Sequence, residues 1–105
     1  MLARVHQFRI RPGKLEEFIA AIDSMIPLLH QQKGFKALLV LRGETAPGVA
    51  PEITAITTWD SLDSLRASEE NLYYYRGLAK VLAFSEGFPA LQEEQVLVSD
   101  FAGTD

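Results

Sequence analysis

The stretch Phe35-Lys36-Ala37-Leu38-Leu39-Val40-Leu41-Arg42 decides the fold, because it is apolar on both sides at once. Successive side chains in a strand point to opposite faces. Phe35, Ala37, Leu39 and Leu41 therefore share one face, and Leu38 and Val40 the other. Glu94–Phe101 predicts a second strand of this kind, with Leu97 and Phe101 on one side and Val96 and Val98 on the other. A sheet made of such strands needs cover on both faces. The helices that the chain encodes suffice for one, so a second copy of the chain is the expected cover for the other.

Upstream, Leu2–Arg11 alternates, with Leu2, His6, Phe8 and Ile10 on one face and Val5, Gln7 and Arg9 on the other. This predicts a strand, closed by Pro12-Gly13. The period then changes: Leu15, Phe18, Ile19, Ile22, Met25, Ile26 and Leu29 form a helical stripe. Pro27 sits inside it and predicts a kink. The helix should end near Gln32, with Gly34 suited to a left-handed turn. Downstream, Gly43–Pro51 reads as a hairpin loop and Glu52–Trp59 as a Thr- and Ile-rich strand. Asp60 or Ser61 can cap a short helix carrying Leu62 and Leu65, and Asn71 can interrupt it. A further helical face collects Leu72, Tyr75, Leu78, Ala79 and Leu82, which places Tyr75 in the core. Gly87 and Pro89 end it before the last strand, and Ala102–Asp105 is expected to fray. The order strand, helix, strand, strand, helix, strand predicts an α+β, ferredoxin-like domain: a four-stranded antiparallel sheet with helices on one face.

At 105 residues the chain predicts one domain, and 48% hydrophobic with 23% charged residues is ordinary for a globular protein. A net charge of −4 argues against a nucleic-acid or anionic-membrane partner, since both reward a basic face. The absence of cysteine removes disulfides, thiolate nucleophiles and Cys-ligated metal sites together. Arg4, Arg9 and Arg11 break up the apolar N-terminus, which predicts no signal peptide and a cytoplasmic protein. No phosphate-binding glycine loop, nucleophile elbow or metal-ligand spacing occurs, and no cofactor or metal is expected.

Several of these residues also resemble a known family. Arg9-Ile10-Arg11-Pro12-Gly13-Lys14, then Phe18, Ile26-Pro27, Lys33-Gly34-Phe35 and Thr58-Trp59-Asp60-Ser61 with Leu65 resemble, in order and spacing, the antibiotic biosynthesis monooxygenase domain. The resemblance covers roughly Leu2 to Phe101. It implies a dimeric α/β barrel, two sheets closing face to face, with a pocket between sheet and helices. It also implies a function among cofactor-independent quinol or polyketide oxygenases, haem-degrading proteins and members without known activity. The haem-degrading relatives use an asparagine, a tryptophan and a histidine at positions that the resemblance matches to His6, Ser68 and Leu78 or its neighbours. Leu62–Phe84 contains no histidine, which argues against haem degradation.

His6 shares a strand face with Phe8 and Ile10, which by the same analogy looks toward the helices. A neutral imidazole there can take a proton from a phenolic substrate, and an ordinary imidazole predicts a pH limb near 6.5. The structural alternative is a histidine bonded to a neighbour. Trp59, the single tryptophan, offers a planar contact for an aromatic ligand or simply core packing. Of Tyr73, Tyr74 and Tyr75, which helical geometry spreads around the axis, Tyr73 or Tyr74 can reach a pocket or an interface. Arg66 can stabilise an anionic intermediate, or, like Arg76, sit solvated on its helix. Gln7 and Arg9 point to the face assigned to a partner and suggest a polar network across a dimer. Glu16-Glu17, Glu69-Glu70 and Glu93-Glu94 read as solvated faces. The reading is a monooxygenase of a small aromatic, quinol or polyketide-like substrate, with His6 and Arg66 catalytic and Phe8, Trp59, Tyr73 and Tyr74 contacting the substrate. The alternative is a non-catalytic module that binds a small apolar ligand or regulates a partner.

Overall fold

Strand β1 (Leu2–Arg9) runs through the interior of a four-stranded antiparallel sheet whose order is β2-β3-β1-β4. The computed structural model describes residues 1–43 and 46–100. Helix α1 (Leu15–His30) follows β1, and β2 (Phe35–Arg42) and β3 (Glu52–Trp59) form the expected hairpin. Then come α2 (Leu62–Glu69), α3 (Leu72–Leu82) and β4 (Ala90–Gln95). The α+β ferredoxin-like arrangement predicted from the sequence is therefore present, with the second helix divided in two. No helix among the described residues is long and apolar enough to cross a membrane.

Local signals explain most boundaries. Helix α1 buries Phe18, Ile22 and Leu29 of the expected stripe and runs unbroken through Pro27, ending two residues before Gln32. Gly34 adopts φ 84°, and a Cβ there would collide with Asp60 and Ser64, so both backbone conformation and space demand glycine. Ser61 caps α2, its hydroxyl accepting from the Ser64 amide at 3.1 Å. Asn71 is the N-cap of α3, so the interruption it suggested is a genuine break between two helices.

Three expectations fail. First, β4 is the polar segment Ala90–Gln95, and Val96–Val98 lie outside any strand, with Leu97 and Val98 almost fully exposed. Backbone bonds from Arg11 to Phe84 and from Glu86 to Arg9 bring the chain back at the C-terminal end of β1. Pairing starts there, and Gln95 already lies opposite Leu2, so β1 has run out before the apolar residues arrive. Register has overruled β propensity. Phe101 and the predicted tail lie outside the described residues. Second, a register shift between Phe35 and Ala37 moves Phe35 onto the face of Leu38 and Val40. Phe35 thereby meets Trp59 edge-on, with ring centroids 5.4 Å apart. Third, the buried side of α3 is Gly77 and Val81, with Tyr73, Tyr74 and Leu78 beside them, while Leu72 and Tyr75 are exposed.

The interior consists of two groups. Phe8, Ile10, Phe18, Ile22, Ile53, Ala55 and Val81 form the larger, and Leu29, Trp59 and Leu65 the smaller; Leu38 packs against both. On the far side of the sheet, Leu39 and Leu41 remain 56% and 48% exposed.

Candidate functional site

A cavity lies between the helix-facing side of the sheet and the three helices. Strand alternation places Arg4, His6 and Phe8 of β1 on that side, and Ala55, Thr57 and Trp59 of β3 beside them. From the helices come Ile22, Met25 and Leu29 of α1, Leu65, Ser68 and Glu69 of α2, and Tyr73, Tyr74, Leu78 and Val81 of α3. The volume open to the centre of a water-sized sphere is about 70 Å³, and a single water needs about 10–15 Å³. Counting the mouth and its opening to solvent, the empty space is about 620 Å³. The cavity as it stands suits something narrow.

His6 is buried and stacks parallel to Phe8, ring centroids 5.9 Å apart, while its Nε2 lies 3.2 Å from the Tyr74 hydroxyl. Burial, with the Arg4 charge adding to it, pushes its pKa down to about 4. The ring is neutral near pH 7 and presents one donor and one acceptor. Tyr74 is pushed up to about 12, first by burial and then by the Glu69 carboxylate, so it too is neutral. Tyr73 is raised by burial and shares a hydrogen bond with the buried Ser68 hydroxyl.

Arg4 closes this corner. Its Nη2 donates to Glu69 at 2.6 Å and to Glu93 at 2.9 Å, the latter directly opposite it on β4. Burial works against the charged guanidinium, but the bond and charge of Glu69 and the charge of Glu93 prevail and hold its pKa above the ordinary value. Among the described residues the Arg4 Nε–H finds no hydrogen-bond partner, although it is buried. Trp59 donates from Nε1 to the Thr57 hydroxyl at 2.9 Å and packs with Leu29, Leu65 and Phe35, serving the core and the cavity wall together.

Of the residues singled out in the sequence, His6, Phe8, Trp59, Tyr73 and Tyr74 are brought together around one space. Arg66 is not: it is exposed on α2 and does not line the cavity. The cation at the cavity is Arg4, absent from the residues expected there although it stands two residues before His6 on the same strand face. Period two was the available signal. Glu69 and Glu93 are likewise more than solvated faces, since both hold Arg4. Arg9 pairs with Glu52 of its own chain at 3.5 Å, its register partner on β3. Among the described residues no group of histidines and carboxylates is arranged to hold a metal.

A ferredoxin-like sheet whose helices enclose a cavity at β1 defines an α+β protein with a pocket between its two layers. The family profile of antibiotic biosynthesis monooxygenase matches residues 1–80, and the chain belongs to that family. Solved structures agree on the fold. SnoaB, a cofactor-independent oxygenase from Streptomyces nogalater solved as a point mutant, is similar with a TM-score of 0.78 at 16% identity, covering 93% of this chain and 94% of that one. A conserved protein from Methanosarcina mazei Go1 gives 0.78 at 15% identity, covering 90% of each chain. Rv0793 from Mycobacterium tuberculosis gives 0.69 at 20% identity, covering 97% of this chain and 98% of that one. No curated protein matches.

Proposed function

We propose that this protein is a cofactor-independent monooxygenase acting on a small, electron-rich phenol or quinol held in the cavity at His6. One observation carries the reading: a buried, neutral imidazole bonded to a tyrosine hydroxyl faces a space whose walls are otherwise mostly apolar. Membership of the monooxygenase family and the likeness of fold to a cofactor-independent oxygenase support it.

The substrate hydroxyl takes the place of the Tyr74 hydroxyl at His6 Nε2, which accepts its proton, and the Arg4 guanidinium favours the resulting phenolate. The phenolate passes one electron to dioxygen, and the radical pair joins through a new C–O bond to give a peroxide. Imidazolium returns its proton to the distal peroxide oxygen. The C–H bond at the oxygenated carbon then breaks, its electron pair forms the C=O as the O–O bond breaks, and the departing hydroxide takes up that proton as water. One oxygen atom stays in the product, and the other leaves as water with two hydrogens of the substrate. All four electrons come from the substrate. The protein's share is a dry cavity, a base and a fixed cation.

The test is oxygen uptake with no added cofactor across phenols, catechols and hydroquinones. His6→Ala should lower turnover at least about a hundredfold, and Arg66→Ala should leave it near the wild-type value. Uptake indifferent to His6→Ala would remove His6 from the chemistry. The second reading, a non-catalytic ligand-binding module, is favoured by the low basicity of His6, since a pKa of about 4 makes a weak base. Ligand binding without uptake across the panel would select it.

We also propose that a second copy of this chain covers the far side of the sheet. The apolar residues Ala37, Leu39, Leu41 and Ile56 lie together there, directly paired across β2 and β3 or next to one another along them.

A further inference from the structure

We infer that the cavity selects aromatic molecules whose oxygen functions sit together on one edge of the ring, and discriminates against isomers that carry them at opposite ends. The inference rests on the reading of this cavity as the ligand site and extends it to the pattern of substituents recognised.

Polar side chains reach the cavity mainly from one side; Thr57 of β3 lies between the two walls, its hydroxyl already accepting from Trp59 Nε1. Arg4 and His6 stand on β1, and Ser68, Glu69, Tyr73 and Tyr74 crowd the break between α2 and α3. They are joined in pairs, Arg4 to Glu69, His6 to Tyr74 and Ser68 to Tyr73. The opposite wall is built from α1 and β2, where Ile22, Met25, Leu29 and Leu38 present methyl groups and one thioether. The sheet order explains the division: β1 lies toward one edge and β2 forms the other.

A hydroxyl on the polar side meets a ring nitrogen and two tyrosine hydroxyls, each able to donate or accept. Two adjacent hydroxyls can share that set. A second hydroxyl at the far end of the ring is driven against α1 and β2, whose described lining side chains offer no polar group beyond the weakly accepting sulfur of Met25. A space of about 70 Å³ leaves little room for a bridging water beside a ring. Burying a hydroxyl without a partner weakens binding on the order of tenfold to a hundredfold.

Three single-ring probes separate the outcomes in calorimetric titrations under nitrogen, where no turnover occurs: catechol, hydroquinone and 4-methylphenol. Catechol and hydroquinone have the same atoms, so their difference reports position alone. Catechol should bind at least about tenfold more tightly than hydroquinone. 4-Methylphenol, with its methyl toward α1, should also bind more tightly than hydroquinone. Met25→Gln supplies a partner on the apolar wall and should strengthen hydroquinone binding while moving catechol much less. Equal affinity for the two isomers in the wild type overturns the inference and leaves the site standing. Failure of all three probes to bind overturns the site, and the proposed function with it. The wild-type comparison decides the matter even if Met25→Gln fails to fold.

Discussion

Burial beside Arg4 makes the basicity of His6 and the stability of the fold depend on the same shift. An ordinary imidazole would place the acid limb of kcat/KM near pH 6.5, but burial beside Arg4 moves the His6 pKa to about 4. The limb of the free enzyme should therefore fall near pH 4, with no inflection at neutrality; a limb at 6.5 would mean that another group titrates. The same shift makes stability depend on pH. The folded state holds His6 neutral while the unfolded chain takes up its proton below about 6.5. The contribution is intact above that value and is lost as pH falls through about 4. The difference is on the order of 3 kcal/mol across the window. Urea midpoints at pH 7 and pH 4.5 should diverge for the wild type and converge for His6→Leu, once the carboxylate contributions common to both proteins are subtracted.

At the scale of elements, α1 and α3 meet where Gly77 faces the Met25 side chain, and a Cβ at Gly77 would run into its thioether. Gly77→Ala sets two effects against each other. Alanine favours the helix by about 1 kcal/mol, while the displaced methionine must swing away, and the space open to it is the cavity. Unfolding should change by less than about 1 kcal/mol, and affinity for 4-methylphenol should fall. A variant with unchanged affinity would show that Met25 moves elsewhere. This contact also shows why the sequence was legible in one helix and not in the other. The α1 stripe has one dominant face, so period alone located Phe18, Ile22 and Leu29. In α3, Leu72, Tyr75, Ala79 and Leu82 form a more apolar stripe than the one that is buried. What turns the helix is the glycine that admits Met25 and the tyrosines whose hydroxyls find Ser68 and His6. Close approach and hydrogen bonding leave no periodic mark. The position of the last strand is illegible for a similar reason, since it follows from where the chain rejoins β1 and not from its own composition. Arg4 is legible in principle, because period two puts it on the face of His6, but an arginine among apolar neighbours carries no mark in the sequence that separates a cavity cation from a solvated interruption.

For the whole molecule, the far side of the sheet sets the expected assembly. Sedimentation equilibrium at micromolar protein should give twice the 11.7 kDa chain mass, and Leu39→Asp should give the single chain or unfold it. A charge at Val98 should do neither, because Val98 is exposed and lies outside the sheet. A wild-type monomer would overturn the proposed pairing.

The two separate groups of core residues give the cavity a second meaning. It lies along the seam between them, with Leu38 touching both. A ligand that fills the seam completes the interior much as one more apolar side chain would. Binding then becomes part of folding, and the melting curve becomes an assay that needs no knowledge of the reaction. A molecule present at a hundred times its Kd stabilises the folded state by about 2.7 kcal/mol. In a domain of this size that raises Tm on the order of 10 °C, a shift large enough to find the natural ligand in a library of unassayed compounds.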